Sequence, residues 1–305
     1  MTDADDADLR ASEYVIRHPV AFVLRVLKGF RANQGLLLAG AVAYYSLLSL
    51  IPFLMLVVVV LSHFIDQQAL IATLSRYLEW LVPGQSRSVV TELALFLDQR
   101  EVITWVLGLT MVFFSSLAFT VLENAMSVIF LHRVAIRRRH FLVSAILPYC
   151  YIVALGIGTL LITLVAGSLQ VMGTEEVEFL GRTWSLGGVS GALLYLLGVG
   201  GEVLVLTSIY LVMPVGRLSW RHALIGGVSA TVLWEIARHL LVWYFSTLSQ
   251  VNIVYGSMTT AIVVMFSLEI GATLLLLGAQ VISEYERAGR TDHARRPEPL
   301  RTNGG

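Results

Sequence analysis

The run from Gly35 to Phe64, GLLLAGAVAYYSLLSLIPFLMLVVVVLSHF, contains no Asp, Glu, Lys or Arg. It is longer than the roughly 20 apolar residues that a helix needs to cross a bilayer. Hydrocarbon offers the backbone no hydrogen-bond partners, so a single run of this kind must be helical. Its two halves differ. The first carries small and polar groups (Gly35, Ala39, Gly40, Ala43, Tyr44, Tyr45, Ser46 and Ser49), while Phe53 to Leu61 is almost purely aliphatic. Pro52 stands between them, and its missing N–H leaves the Leu48 carbonyl without its usual partner, which favours a kink. Small residues permit close helix approach. The first half therefore suits protein contact and the second lipid.

Five further apolar stretches follow, at about 102–130, 141–170, 187–213, 222–246 and 257–282. With 56% hydrophobic and 14% charged residues and a mean hydropathy of +0.76, the chain is far from soluble composition, where about a quarter of residues are charged. The expected fold is all-α, a polytopic bundle of six transmembrane helices. Residues 66–98 add an amphipathic helical hairpin on the extracytoplasmic side, in which Asp66 caps a helix with Leu70, Leu74, Tyr77, Leu78 and Leu81 at helical spacing. Residues 1–13 are acidic and expected to be disordered, residues 14–287 form one membrane domain, and 288–305 form a disordered tail. Within 14–34, a juxtamembrane helix, Phe22, Val23, Val26, Leu27 and Phe30 interleave with Arg25, Lys28 and Arg31. Two readings fit this segment equally: a helix in the membrane interface beside anionic headgroups, or one packed beneath the bundle.

Charge asymmetry orients the chain. Arg10, Arg17, Arg25, Lys28 and Arg31 precede the first helix; Arg133, Arg137, Arg138 and Arg139 lie in the second loop; Arg217 and Arg221 lie in the fourth. Arg287, Arg290, Arg295, Arg296 and Arg301 follow the last helix, making sixteen on one side. The other side has four, Arg76, Arg87, Arg100 and Arg182. Both termini are therefore expected in the cytoplasm. The opening acidic run gives no sign of a cleaved signal peptide, and the single Cys150 leaves no intrachain disulfide to form.

Four charged residues fall deep within the apolar stretches: Glu202, Glu235, Arg238 and Glu269. A charge at the bilayer centre costs at least about 2.5–3.5 kcal/mol, so these side chains are expected to face protein or water and to find partners. Glu235 and Arg238 are i, i+3 and His239 is i+4 from Glu235, so the three share a face. Three acids against one base leave a carboxyl that is either protonated or hydrated. The functional reading is a midplane site for a cation, proton or polar solute, to which Tyr45, Ser49 and Pro52 (i, i+4, i+7) would contribute if their shared face turns to the bundle. The competing reading is interhelical glue. The glue reading is the better one for the serines, threonines and glycines, and the functional reading is slightly favoured for the carboxylates.

Other chemistries leave no trace in these residues. The seven histidines are scattered without an HExxH pattern, so no metal is expected, and no phosphate-binding glycine loop or other cofactor signature occurs. The expected partners are the lipid bilayer and anionic headgroups at the basic cytoplasmic loops, with self-association left open. Nucleic acid is not among them, because Arg137–Arg139 beside a helix end reads as a topology signal.

The segment Ala39-Gly40-Ala41-Val42-Ala43-Tyr44-Tyr45-Ser46-Leu47-Leu48-Ser49-Leu50-Ile51-Pro52 resembles the first-helix signature of the YihY/BrkB family of membrane proteins. Tyr255-Gly256-Ser257, and Gly278-Ala279-Gln280 followed by Glu284-Tyr285-Glu286-Arg287, resemble later family motifs. The similarity of layout covers about residues 20–287. It implies six helices with cytoplasmic termini in a prokaryotic plasma membrane. The family usually carries an acidic residue where this chain has Gln280, so a role resting on that carboxylate does not transfer. An older ribonuclease BN label attaches to the family, but nothing in these residues supports RNA hydrolysis, and the chain is not expected to be an enzyme. The leading expectation is a transporter or permease for a small solute, ion or lipid-like molecule. The alternative is a non-transporting envelope scaffold that binds lipid or partners.

Overall fold

The computed structural model describes residues 3–62, 105–130, 149–151, 153–158, 161–165, 176–179, 182–185, 187–214, 218–247 and 259–291, with isolated positions at 64, 68–69, 71–72, 75, 91 and 95. Its helices are α1 (Asp3–Arg17), α2 (Pro19–Ala32), α3 (Gly35–Leu61), α4 (Trp105–Ile129), α5 (Tyr149–Val165), α6 (Gly187–Val212), α7 (Trp220–Thr247) and α8 (Thr259–Thr291). Five of them, α3, α4, α6, α7 and α8, are long and apolar enough to cross a membrane among the described residues, and α5 is a shorter apolar helix in the third stretch. The helical membrane bundle read from the sequence is thus the observed architecture. A two-stranded antiparallel hairpin precedes α6, with β1 (Glu176–Phe179) paired to β2 (Arg182–Ser185) in the register Glu176↔Ser185 to Phe179↔Arg182. The hairpin expected at 66–98 and the basic loop at Arg133–Arg139 lie outside the described residues, apart from single helical positions such as Leu95.

Two helix pairs form the body. α3 packs along α4, and α6 packs along α7; α8 lies against both α3 and α7 and joins the pairs. Small residues set these approaches. Gly227 brings α7 onto α6 at Thr207, and Gly226 brings it onto Ile282 of α8. Gly278 lets the Tyr210 ring press on α8, where the phenol donates a 2.7 Å hydrogen bond to the Leu275 carbonyl. A methyl group at Gly278 would overlap the Tyr210 hydroxyl and meet Ala230 at 2.9 Å. The shared core runs through Ala39, Met126, Ile129, Tyr210, Leu276 and Ile282. α5 is tied to both pairs: the Tyr149 hydroxyl bonds Ser115 and the Val112 carbonyl of α4, and the Tyr151 hydroxyl lies 2.6 Å from Ser208 of α6.

Three boundaries differ from the sequence expectation. Residues 1–13 are not simply disordered, because α1 starts at Asp3; Ala11 is buried with Phe22, Val26 and Tyr285, so tertiary contact stabilises a helix whose mean composition is polar. The segment 14–34 is two helices, broken between His18 (φ −133°) and Pro19, since proline restricts the residue before it and suits a first helical turn. The last helix runs on to Thr291 with Ala288 and Gly289 still buried, so residues 288–291, expected in a disordered tail, are helical, and the rest of that tail lies outside the described residues. Its polar continuation holds because α1 and α2 pack on it.

Candidate functional site

Two of the three acids singled out in the sequence, Glu202 and Glu235, belong to the packed helices α6 and α7. One turn of α7 sets Glu235 and Arg238 side by side, and Arg238 Nη2 donates to Glu235 Oε2 at 2.5 Å. Glu202 of α6 stands within electrostatic range of both. This unites three of the four charged residues singled out in the sequence, with the base paired inside its own helix. His239 shares the face: its Nδ1 is 2.7 Å from the Glu235 carbonyl and 3.9 Å from Oε2. The face opens outward. The Glu235 side chain is 17% exposed, Arg238 45% and His239 76%.

The seam is also incomplete in its hydrogen bonding. Among the described residues, three buried side-chain oxygens have no hydrogen-bond partner: Glu202 Oε2, Thr207 Oγ1 and Thr231 Oγ1. All three belong to α6 and α7. Buried polar atoms in proteins are nearly always satisfied, by protein or by ordered water. Sequence reasoning singled out only Glu202 of these three, because a threonine in an apolar helix can normally bond its own backbone, as Thr273 does to the Glu269 carbonyl at 2.8 Å.

Glu269 stands apart from this trio. Its carboxylate faces α3, with Oε1 3.9 Å from where a Gly40 methyl would sit. Of the residues expected to contribute from α3, Ser49 is buried and turned to α4: its hydroxyl donates to the Tyr45 carbonyl at 2.6 Å and accepts from the Ala118 amide at 3.1 Å. Tyr45 and Pro52 are half-buried. The Tyr45–Ser49–Pro52 face therefore supports the α3/α4 pair through Ser49 and is not joined to the Glu202 group by any observed contact. No group of three or more His, Cys, Asp or Glu able to hold a metal occurs among the described residues.

A second polar cluster lies where α2, α7 and α8 end together. Asn33 Nδ2 donates to Gln280 Oε1 at 2.9 Å, Gln280 Nε2 donates to Glu284 Oε1 at 3.1 Å, and Arg287 Nη1 reaches the same oxygen at 3.3 Å. Glu286 accepts from the other side, with His222 Nδ1 3.2 Å from its Oε1 and Ser219 Oγ 3.1 Å from that nitrogen. Ser283 donates to the Ile129 carbonyl at 3.2 Å, and the His222 ring meets Tyr285 edge-on. Gln280 and Ser283 are completely buried. Gly29 makes room: a methyl group there would strike the Gln280 amide and lie 2.9 Å from Glu284 Oε1. The sequence signal for this cluster was the motif Gln280–Arg287 itself, which spacing alone could not connect to Asn33 or His222.

The first-helix and closing motifs lie in α3 and α8, and comparisons with known proteins identify the family they belong to. The family model described as virulence factor BrkB matches residues 26–302. The chain is 27% identical over 284 residues to a UPF0761 membrane protein of Alkalilimnicola ehrlichii, covering 90% of this chain and 60% of that one. It is 26% identical to one from Azotobacter vinelandii (86% and 62% covered) and 29% identical to one from Tolumonas auensis (85% and 84% covered). The chain thus spans about three-fifths of the length of the first two of these relatives. No solved structure matches it. On the breadth of the family match, and with the first-helix and closing motifs placed in packed membrane helices, the chain belongs to the YihY/BrkB family of integral membrane proteins.

Proposed function

We propose that this membrane protein is a transporter or permease in which the α6/α7 seam binds a small polar or charged solute or lipid headgroup in transit. The observation that carries the reading is the unpartnered Glu202 Oε2, buried beside Glu235 and Arg238 in helices of membrane-spanning length. A pair whose only task is to glue helices would be closed. Two carboxylates within electrostatic range of one guanidinium leave capacity for a further positive or hydrogen-donating group, and such groups inside membranes are costly enough to favour a functional role. In this reading the short α5 makes a sixth crossing, the chain sits in a prokaryotic plasma membrane with both termini cytoplasmic, and it performs no enzymatic chemistry. The charge bias of the loops supports the orientation.

The test is flux in proteoliposomes, using entrapped pyranine for protons, radioactive sodium and rubidium for cations, and a fluorescent phospholipid for lipid movement. One of these is expected to move in the presence of the wild-type protein. Glu235→Gln and Glu202→Gln should abolish that movement while leaving folded yield unchanged. Variants that fold normally and conduct as wild type would remove the seam from the mechanism. Absence of all three fluxes would favour the envelope-scaffold alternative.

A further inference from the structure

We infer that α2 is a lipid-embedded interface helix whose outward face is covered by an anionic leaflet and not by protein. Three sectors follow one another around this helix, at about 100° per residue. Phe22, Val26 and Phe30 are buried against the bundle. Next comes an apolar sector of Val20, Val23, Leu24 and Leu27, which are 50–71% exposed. Beyond it lie the basic residues Lys28 and Arg25, and Arg31 closes the apolar sector one turn after Leu27. No acidic residue occurs between Pro19 and Ala32.

The surroundings fix how this helix sits. Only Asn33 and Gln34 separate α2 from the membrane-spanning α3, and Gln34 makes the turn in a left-handed conformation (φ 53°). The first turn of α3 continues the apolar sector with the exposed Leu36 and Leu37. The C-terminal end of α2 therefore lies at the depth where the membrane-spanning α3 begins. Arg25 is held by α1, its guanidinium 2.9 Å from the Tyr14 hydroxyl and stacked 4.9 Å from that ring. Lys28 and Arg31 have no acidic partner among the described residues. An apolar stripe flanked by unpaired cations, continuous with a transmembrane helix, complements acyl chains with anionic headgroups above them. This inference does not depend on the transport reading; only the identity of the leaflet rests on the proposed orientation.

The experiment uses the full chain with Cys150→Ser and Leu24→Cys, labelled with bimane and reconstituted with brominated phosphatidylglycerol or brominated phosphatidylcholine at equal mole fraction. Val20→Cys serves as a second position should Leu24→Cys fold poorly. Both lipids should quench the label. The glycerol lipid should be preferred by up to about five-fold for each uncompensated basic residue. In Lys28→Gln/Arg31→Gln the preference should fall several-fold while quenching persists. No quenching by either lipid would overturn the proposal, as would pyrene excimers at Leu24→Cys that reveal a second copy on this face. Equal quenching by the two lipids with both cations intact would overturn its anionic part.

Discussion

The two polar clusters of this chain are built to opposite specifications. At the end of the bundle, Asn33, Gln280, Glu284 and Arg287 form a closed chain of hydrogen bonds, and His222 and Glu286 form a second, all where α2, α7 and α8 end together. In the middle of the α6/α7 seam, Glu202, Glu235 and Arg238 are close but incompletely paired, and Arg238 and His239 open outward. The closed cluster satisfies its buried groups with protein and so resists change. The open one leaves Glu202 Oε2 without a hydrogen-bond partner among the described residues. Closure marks the structural element, and incompleteness marks the candidate site.

Substitutions should separate the two. The largest loss of stability is expected from Glu284→Ala, which strands the Gln280 amide and the Arg287 guanidinium; unfolding in detergent should show about 2–3 kcal/mol lost. Gly278→Ala should cost about 1–3 kcal/mol by pushing Tyr210 off α8, read in the same assay. Tyr210→Phe keeps the shape and deletes one bond to the Leu275 carbonyl, so about 1 kcal/mol is expected. Glu235→Gln should leave the unfolding midpoint where it is, since Arg238 keeps a hydrogen-bond acceptor and lies partly open. Its flux should vanish. A Glu235→Gln protein that unfolds as early as Glu284→Ala would break the comparison, because the seam would then be as structural as the junction.

The α3/α4 pair offers a finer check. Ser49 both donates to Tyr45 and accepts from Ala118, so Ser49→Ala should weaken folding by about 1 kcal/mol or less while sparing flux. Lost flux at normal stability would connect α3 to the site after all.

Much of this arrangement was legible from residues alone, and the divisions are instructive. Glu235, Arg238 and His239 were readable as one face because helical spacing is local. Glu269 was placed at the same depth as the others, yet its carboxylate turns to Gly40 on α3. Depth follows from counting along a helix, whereas azimuth depends on which neighbour that helix meets. The same limit hid α1: acidic residues at its start argued for disorder, and only the docking of Ala11 on Phe22, Val26 and Tyr285 reverses that.

What the sequence by itself determined is the helical membrane architecture, the rough extent of the apolar helices, and the family. These rest on properties that add along a short window: hydropathy over a bilayer's thickness, and motifs of adjacent residues. Only the tertiary structure decided which polar groups meet. Asn33 and Gln280 are 247 positions apart, and no periodicity in either helix points to the other. Their contact depends on a glycine-sized approach at Gly29, where a methyl group would strike the Gln280 amide.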